Sequence, residues 1–159
     1  MNRVNAIINH PVFIDVLGKI ASVEHDRPFC CHDLQHLLDT ARIAYILALE
    51  SGADIGKELI YTAALLHDTG RYLQYTEGVP HEVASAGIAA EILPECGFCE
   101  DETALIIAAI SAHRRKNEDM TGLSGLLYRA DKLSRACYNC AARRECNWAD
   151  ERKNMKPEY

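Results

Sequence analysis

Apolar residues recur three and four positions apart along almost the whole chain, and apolar–polar alternation with a period of two is scarce. This pattern predicts six helical segments, at roughly 3–22, 33–51, 56–67, 81–93, 101–113 and 121–136. The breaks between them carry turn chemistry: "ESGAD" after the second, "DTG" after the third and "LPECG" after the fourth. Pro11 falls inside the first segment, where it either starts a new helix or kinks the old one. Two connections, "RYLQYTEGVP" and "RRKNEDMTG", are long enough to act as loops over a site. The expected fold class is all-α, a single domain over 1–159 with a cysteine-containing C-terminal extension at 137–159.

At 159 residues the chain can bury one sizeable core, and 48% hydrophobic with 25% charged residues is ordinary for a globular protein. The start, "MNRVNAIINHPVFIDVLGKI", has no long apolar run. Neither a secretory signal nor a membrane partner is therefore expected, and the default location is cytoplasmic. A formal net charge of −6 argues against general nucleic-acid binding. The charge is uneven, however. Residues 129–156 hold eight Lys/Arg against four Asp/Glu, whereas residues 1–128 hold nine against eighteen. The basic tail is either a solvated surface or a local attraction for an anionic ligand.

Potential metal ligands sit at helix ends. His36 shares a helical face with Ile43 and Leu47, so it borders an apolar surface. The third segment, "AALLHDTGRYLQY", ends in His67-Asp68. Neighbours on a helix point about 100° apart and do not face each other, yet both can reach one ion beyond the helix end. A carboxylate at a helix C-terminus is electrostatically disfavoured, and a bound cation would remove that objection. His81 opens the fourth segment, His113 closes the fifth, and Asp131 lies in the apolar stretch "GLLYRADKLSR", where an unpaired carboxylate is costly to bury. Hard or borderline ions such as Fe, Mn, Co, Ni or Zn suit this nitrogen and oxygen donor set.

The order His36, His67-Asp68, His81, His113, Asp131 resembles the HD superfamily of metal-dependent phosphohydrolases. The surrounding stretches agree: "HDLQHLLDTARIA", "AALLHDTGR", "HEVASAGIAAEIL", "AAISAHR" and "LLYRADKLSR". The six-ligand set resembles the bacterial enzymes that split diadenosine tetraphosphate symmetrically at a di-iron centre. The resemblance implies a single helical bundle of about six helices. It also implies one ion on His36, His67, Asp68 and Asp131, and a second on His81 and His113 with Asp68 bridging. By the same resemblance Arg135 grips phosphate; Asp68 and Arg135 are read as the catalytic pair, and Arg71 and Lys132, which lie next to proposed ligands, as further phosphate candidates. Three features depart from those enzymes: Arg71 stands where relatives often carry a lysine, "RRKNEDMTG" does not repeat the threonine that follows their fifth-segment histidine, and "CYNCAARRECNW" is foreign to their pattern.

The implied activity is hydrolysis of a phosphoester or phosphoanhydride by a metal-activated water, on a small phosphorylated substrate of the nucleotide type. Two other readings stay open, an HD-fold di-iron oxygenase and a non-catalytic nucleotide-binding regulatory domain, as does assembly into a homodimer. The seven cysteines add a separate question. Cys137, Cys140 and Cys146 form C-x2-C-x5-C, and Cys96-Gly-Phe-Cys99 is another C-x-x-C. A structural zinc or iron–sulfur site would take four thiolates, from the two pairs or from the triplet with Cys30 or Cys31. Buried thiols without a metal are the alternative.

Overall fold

The structure is a computed structural model that describes residues 1–115 and 122–159. The described residues form eight α-helices, and no strand occurs among them. These are α1 (Asn2–Ile8), α2 (Pro11–Val23), α3 (Leu34–Ser51), α4 (Lys57–Leu66), α5 (Arg71–Glu77), α6 (His81–Glu95), α7 (Glu100–Ala112) and α8 (Leu123–Leu133). Two short 3-10 turns, Cys137–Asn139 and Asp150–Arg152, follow. The all-α expectation holds.

The expected first segment is two helices. Pro11 occupies the first position of α2, where its missing N–H costs no hydrogen bond, and the His10 side chain caps that helix by accepting from Val12 N at 3.3 Å. The stretch "RYLQYTEGVP", expected as a loop, is instead mostly α5. Gly70 is its N-cap and Gly78, at φ 73°, its left-handed C-cap. The glycine of "DTG", which reads as a break after one helix, caps the start of the next, so the punctuation is ambiguous by itself. The other expected loop, "RRKNEDMTG", falls largely outside the described residues.

α3 packs against α4 and α8, α7 against α6 and α8, and α4 against α7; α1 and α2 lie at the side, and α5 bridges α2 and α6. The core between them is rich in small side chains, with Ala41, Ala44, Ala48, Ala63, Ala64, Ala89, Ala109 and Ala130 all buried. Such residues let helices approach at the short end of the usual 8–10 Å or so. Leu37, Leu47, Ile60, Leu65, Leu66, Ile92, Ile106 and Ile110 fill the remaining space and are fully buried. Among the described residues no single helix is long and apolar enough to cross a membrane.

Packing fixes the helix ends. At Gly70 an added Cβ would lie 2.5 Å from the backbone nitrogen of Ser85 and 2.6 Å from the carbonyl oxygen of His81. The turn after His67-Asp68 is thus pressed directly onto the first turns of α6, and Gly70 N donates to Ser85 Oγ at 2.8 Å. This contact brings the end of α4 to the start of α6.

Candidate metal centre

Each of the six expected ligands stands at or near a helix end that the packing brings to one place. His36 is in the first turn of α3, whose N-cap Asp33 accepts from His36 N at 2.9 Å. His67 and Asp68 leave the end of α4, His81 begins α6, His113 ends α7, and Asp131 lies in the last turn of α8. All six are buried.

Asp68 divides its two oxygens between two groups of imidazoles. Oδ2 faces His67 Nε2 at 3.2 Å and His36 Nε2 at 3.5 Å. Oδ1 faces His81 Nε2 at 3.2 Å and His113 Nε2 at 3.7 Å. Asp131 Oδ1 completes the first group, 3.5 Å from His36 Nε2 and 3.7 Å from His67 Nε2. The ligand atoms of His36, His67, Asp68 and Asp131 form one compact set, and those of Asp68, His81 and His113 another.

The outer ring nitrogens explain why every Nε2 points inward. His67 Nδ1 lies 2.7 Å from Ala64 O and His113 Nδ1 lies 2.5 Å from Ile110 O. His81 Nδ1 meets Gln74 Oε1. These partners only accept, so each Nδ1 carries a proton, and in its neutral form each ring presents the Nε2 lone pair. His36 follows suit: Ser134 Oγ donates to Asp131 O at 2.9 Å and so accepts from His36 Nδ1 at 3.2 Å. Second partners of this kind fix the tautomer of metal-ligating histidines.

Lone pairs now oppose lone pairs. His81 Nε2 and His113 Nε2 approach to 3.1 Å. His67 Nε2 and Asp68 Oδ2 are buried without a hydrogen-bond partner. Burial alone would lower the His67 imidazole, yet the charges of Asp68 and Asp131 raise it to about 9. The site asks for positive charge between these atoms, and the donor set fits a divalent cation. Burial lowers His36 to about 4 and His81 to about 3, opposed in both by Asp68. Burial would raise the two carboxyls, but their surroundings outweigh it and hold both well below the ordinary range. His67 and Arg71 dominate at Asp68, and His67, Arg135 and Lys132 at Asp131.

Cations ring the carboxylates. Arg71 Nε donates to Asp68 Oδ1 at 3.1 Å, Arg135 Nη2 to Asp131 Oδ1 at 3.1 Å, and Lys132 Nζ to Asp131 Oδ2. Arg71, Arg114 and Arg135 also line a cleft of about 480 Å³, whose wall includes Trp148. Lys132 does not line it. Its ammonium instead stands over the Tyr128 ring, on a different groove.

The sequence reading missed His32 and Glu24. His32 lies in the cleft wall, with Nε2 3.8 Å from Asp68 Oδ2. Glu24 receives His32 N at 2.7 Å, His32 Nδ1 at 2.5 Å and the Tyr75 hydroxyl at 2.8 Å. Burial lowers the His32 imidazole, so it is neutral and donates Nδ1–H to the Glu24 carboxylate. The only local signal was a second His-Asp dipeptide, His32-Asp33, four residues before His36.

Residues 33–136 match the HD domain family, and the chain belongs to it. It is 46% identical over 159 residues to an uncharacterized protein of Clostridium beijerinckii, covering all of both chains. It is also 33% identical over 136 residues to ribonuclease Y of Chloroflexus aurantiacus, covering 86% of this chain and 24% of that one. The chain thus spans about a quarter of the length of this larger relative. Among solved structures it resembles a predicted HD superfamily hydrolase from an uncultured Thermotogales bacterium, with TM-score 0.62 and 26% identity over 89% of this chain and 81% of that one. The protein is therefore an HD-superfamily, hydrolase-like domain with a buried His/Asp cluster suited to a divalent metal.

Proposed function

We propose that the protein is a phosphohydrolase that cleaves a phosphoester or phosphoanhydride bond of a small nucleotide-like substrate at a binuclear metal centre. The observation that carries this reading is the division of Asp68, one oxygen to each group of histidines. His36, His67, Asp68 and Asp131 would hold one ion, and His81 and His113 a second, with Asp68 shared. Bound there, a pair of ions would polarise a phosphoryl oxygen and acidify a water to hydroxide near neutral pH.

The chain's own residues would do the rest. Arg71 and Arg135 each spend one N–H on a carboxylate and keep others for phosphate oxygens in the cleft. Arg135 is the better placed, because its guanidinium is buried beside both His36 Nε2, at 3.3 Å, and Asp131. It is the assigned phosphate grip and, with Asp68, the catalytic pair. Arg114, which lines the cleft and pairs with Glu82 at 3.2 Å, is a further cation beside an incoming anion. Lys132, held on Asp131, is a positioning residue for that carboxylate rather than a phosphate ligand.

The ribonuclease Y relatives make an RNA phosphodiester a substrate class worth including, although a net charge of −6 favours a small ligand over a polyanion. The test is metal analysis of the purified protein, then product analysis with mononucleotides, dinucleoside polyphosphates, cyclic dinucleotides and short RNA. Chelation should abolish hydrolysis and readdition of metal restore it. Asp68→Ala should bind neither ion and fall to the background rate. Wild-type hydrolysis by metal-free Asp68→Ala would overturn the reading.

A further inference from the structure

Four cysteines from two stretches distant in sequence line one small cavity beside the cleft. Cys30 comes from the connection between α2 and α3, and Cys137, Cys140 and Cys146 from the segment after α8. The cavity measures about 20 Å³, room for a single ion or water. Cys31 is exposed and outside it. Cys96 is packed in the main core and Cys99 is the N-cap of α7, so the two C-x-x-C pairs do not meet.

The segment carrying three of these thiols lacks the means to hold itself. Residues 137–159 contain no α-helix, and Cys137 is the one buried residue among them. Asn154 Nδ2 ties the tail to the end of α8 through Lys132 O at 2.8 Å and Arg135 O at 2.9 Å, and Asn154 O accepts from Tyr138 N at 2.9 Å. Little else does. Short segments without an apolar core are commonly held by a metal or by disulfides.

We propose that Cys30, Cys137, Cys140 and Cys146 form a structural tetrathiolate site for one zinc ion, separate from the His/Asp centre. The C-x2-C spacing suits two ligands on one ion, and the cavity admits one ion rather than an iron–sulfur cube. All four thiols are free and stand wider apart than the ligand atoms of the His/Asp groups, so binding draws them inward. Four thiol protons leave to solvent as the ion enters, giving a unit of charge −2. Arg143 and Lys153 line the same cavity and face that charge. The consequence reaches the cleft, because Cys137, Cys146, Asn147 and Trp148 also form part of its wall. Zinc would fix that wall by fastening the tail to the chain before α3.

The full-length protein, stripped of metal and reloaded with cobalt(II), should show the intense sulfur-to-cobalt charge-transfer absorption of a thiolate site, which a His/Asp centre does not produce. Cys137→Ser and Cys146→Ser should lose it, and Cys31→Ser should keep it. Should the serine variants fail to fold, the wild type still decides. Adding zinc to the stripped chain under reductant should protect Cys30, Cys137, Cys140 and Cys146 from alkylation, but not Cys31 or Cys99, as read by peptide mass spectrometry. Equal alkylation with and without zinc would overturn the proposal. So would a disulfide among the four in chains acid-quenched directly from cells, or iron with acid-labile sulfide. These readouts follow sulfur rather than hydrolysis, so they stand or fall apart from the proposed activity.

Discussion

The His/Asp centre and the cysteine-lined cavity flank the same cleft, the first through Arg71, Arg135 and His32 in its wall and the second through Cys30, Cys137 and Cys146, yet they are held in opposite ways. The first is assembled from the ends of five packed helices, and its tautomers are set by Ala64 O, Ile110 O, Gln74 and Ser134. Its geometry exists because the core exists. The second hangs on a loop and an irregular tail with hardly any buried apolar surface. A site on rigid elements is preorganised for chemistry, whereas a site on such a tail needs its ligand to order it. The two therefore answer differently to mutation. Asp68→Ala, as above, should abolish activity by removing the carboxylate proposed to be shared between ions.

The next largest effect is expected at the scaffold of the first site. In Gly70→Ala the new methyl meets the backbone of α6 at 2.5 and 2.6 Å, and backbone cannot swing aside as a side chain does. Overpacking of this kind costs about 1–3 kcal/mol. A lowered melting temperature should accompany weaker metal binding, because the end of α4 and the start of α6 carry proposed ligands of both groups. A stable Gly70→Ala protein that binds metal normally would show that the helix ends are less tightly coupled than their contact implies.

Gln74→Ala separates support from ligation. It removes the acceptor that fixes His81 Nδ1 while leaving every proposed ligand in place. Loss of such a partner typically lowers metal affinity by about 10–100-fold. α5 has no buried residues, so global stability should barely move, and calorimetric titration with the metal is the measurement. Trp148→Ala probes the other wall. It should raise KM for an aromatic-base substrate a few-fold, with kcat and metal content unchanged, since Trp148 lies in the cleft but outside both histidine groups.

Much of this was legible in the sequence because the centre uses helix ends, and helix ends are written locally. Proline, glycine and the last apolar residue of a run mark where His67, Asp68, His81 and His113 fall. Their order then matched a known family. Two parts were not legible. α5 was hidden because Gly70, which reads as a break after one helix, is the N-cap of the next, and because its four half-buried residues, 71–74, are consecutive and show no helical period. Glu24 was hidden because nothing near it in sequence demands a carboxylate; its partners His32 and Tyr75 are eight and fifty-one residues away. Likewise the choice of Cys30 over Cys31 depends on where a loop passes the tail, which spacing does not encode.

Glu24 gives the smallest expected effect and a test of how the preorganised side responds to acid. Burial would raise its carboxyl, but the His32 and Tyr75 hydrogen bonds lower it from 4.5 to about 2. A depressed folded-state value means that the unfolded chain binds the proton first. The stabilisation is thus complete above about pH 4.5 and is lost as pH falls toward 2. Hydrogen bonds to a charged group contribute about 1.5–3 kcal/mol, much of which Glu24→Gln can retain by accepting from His32 and Tyr75. The variant should melt slightly lower than wild type at pH 7, and the gap should close below pH 4.5. A gap that stays constant down to pH 3 would mean that Glu24 acts through packing, and that its charge does not hold His32 against the centre.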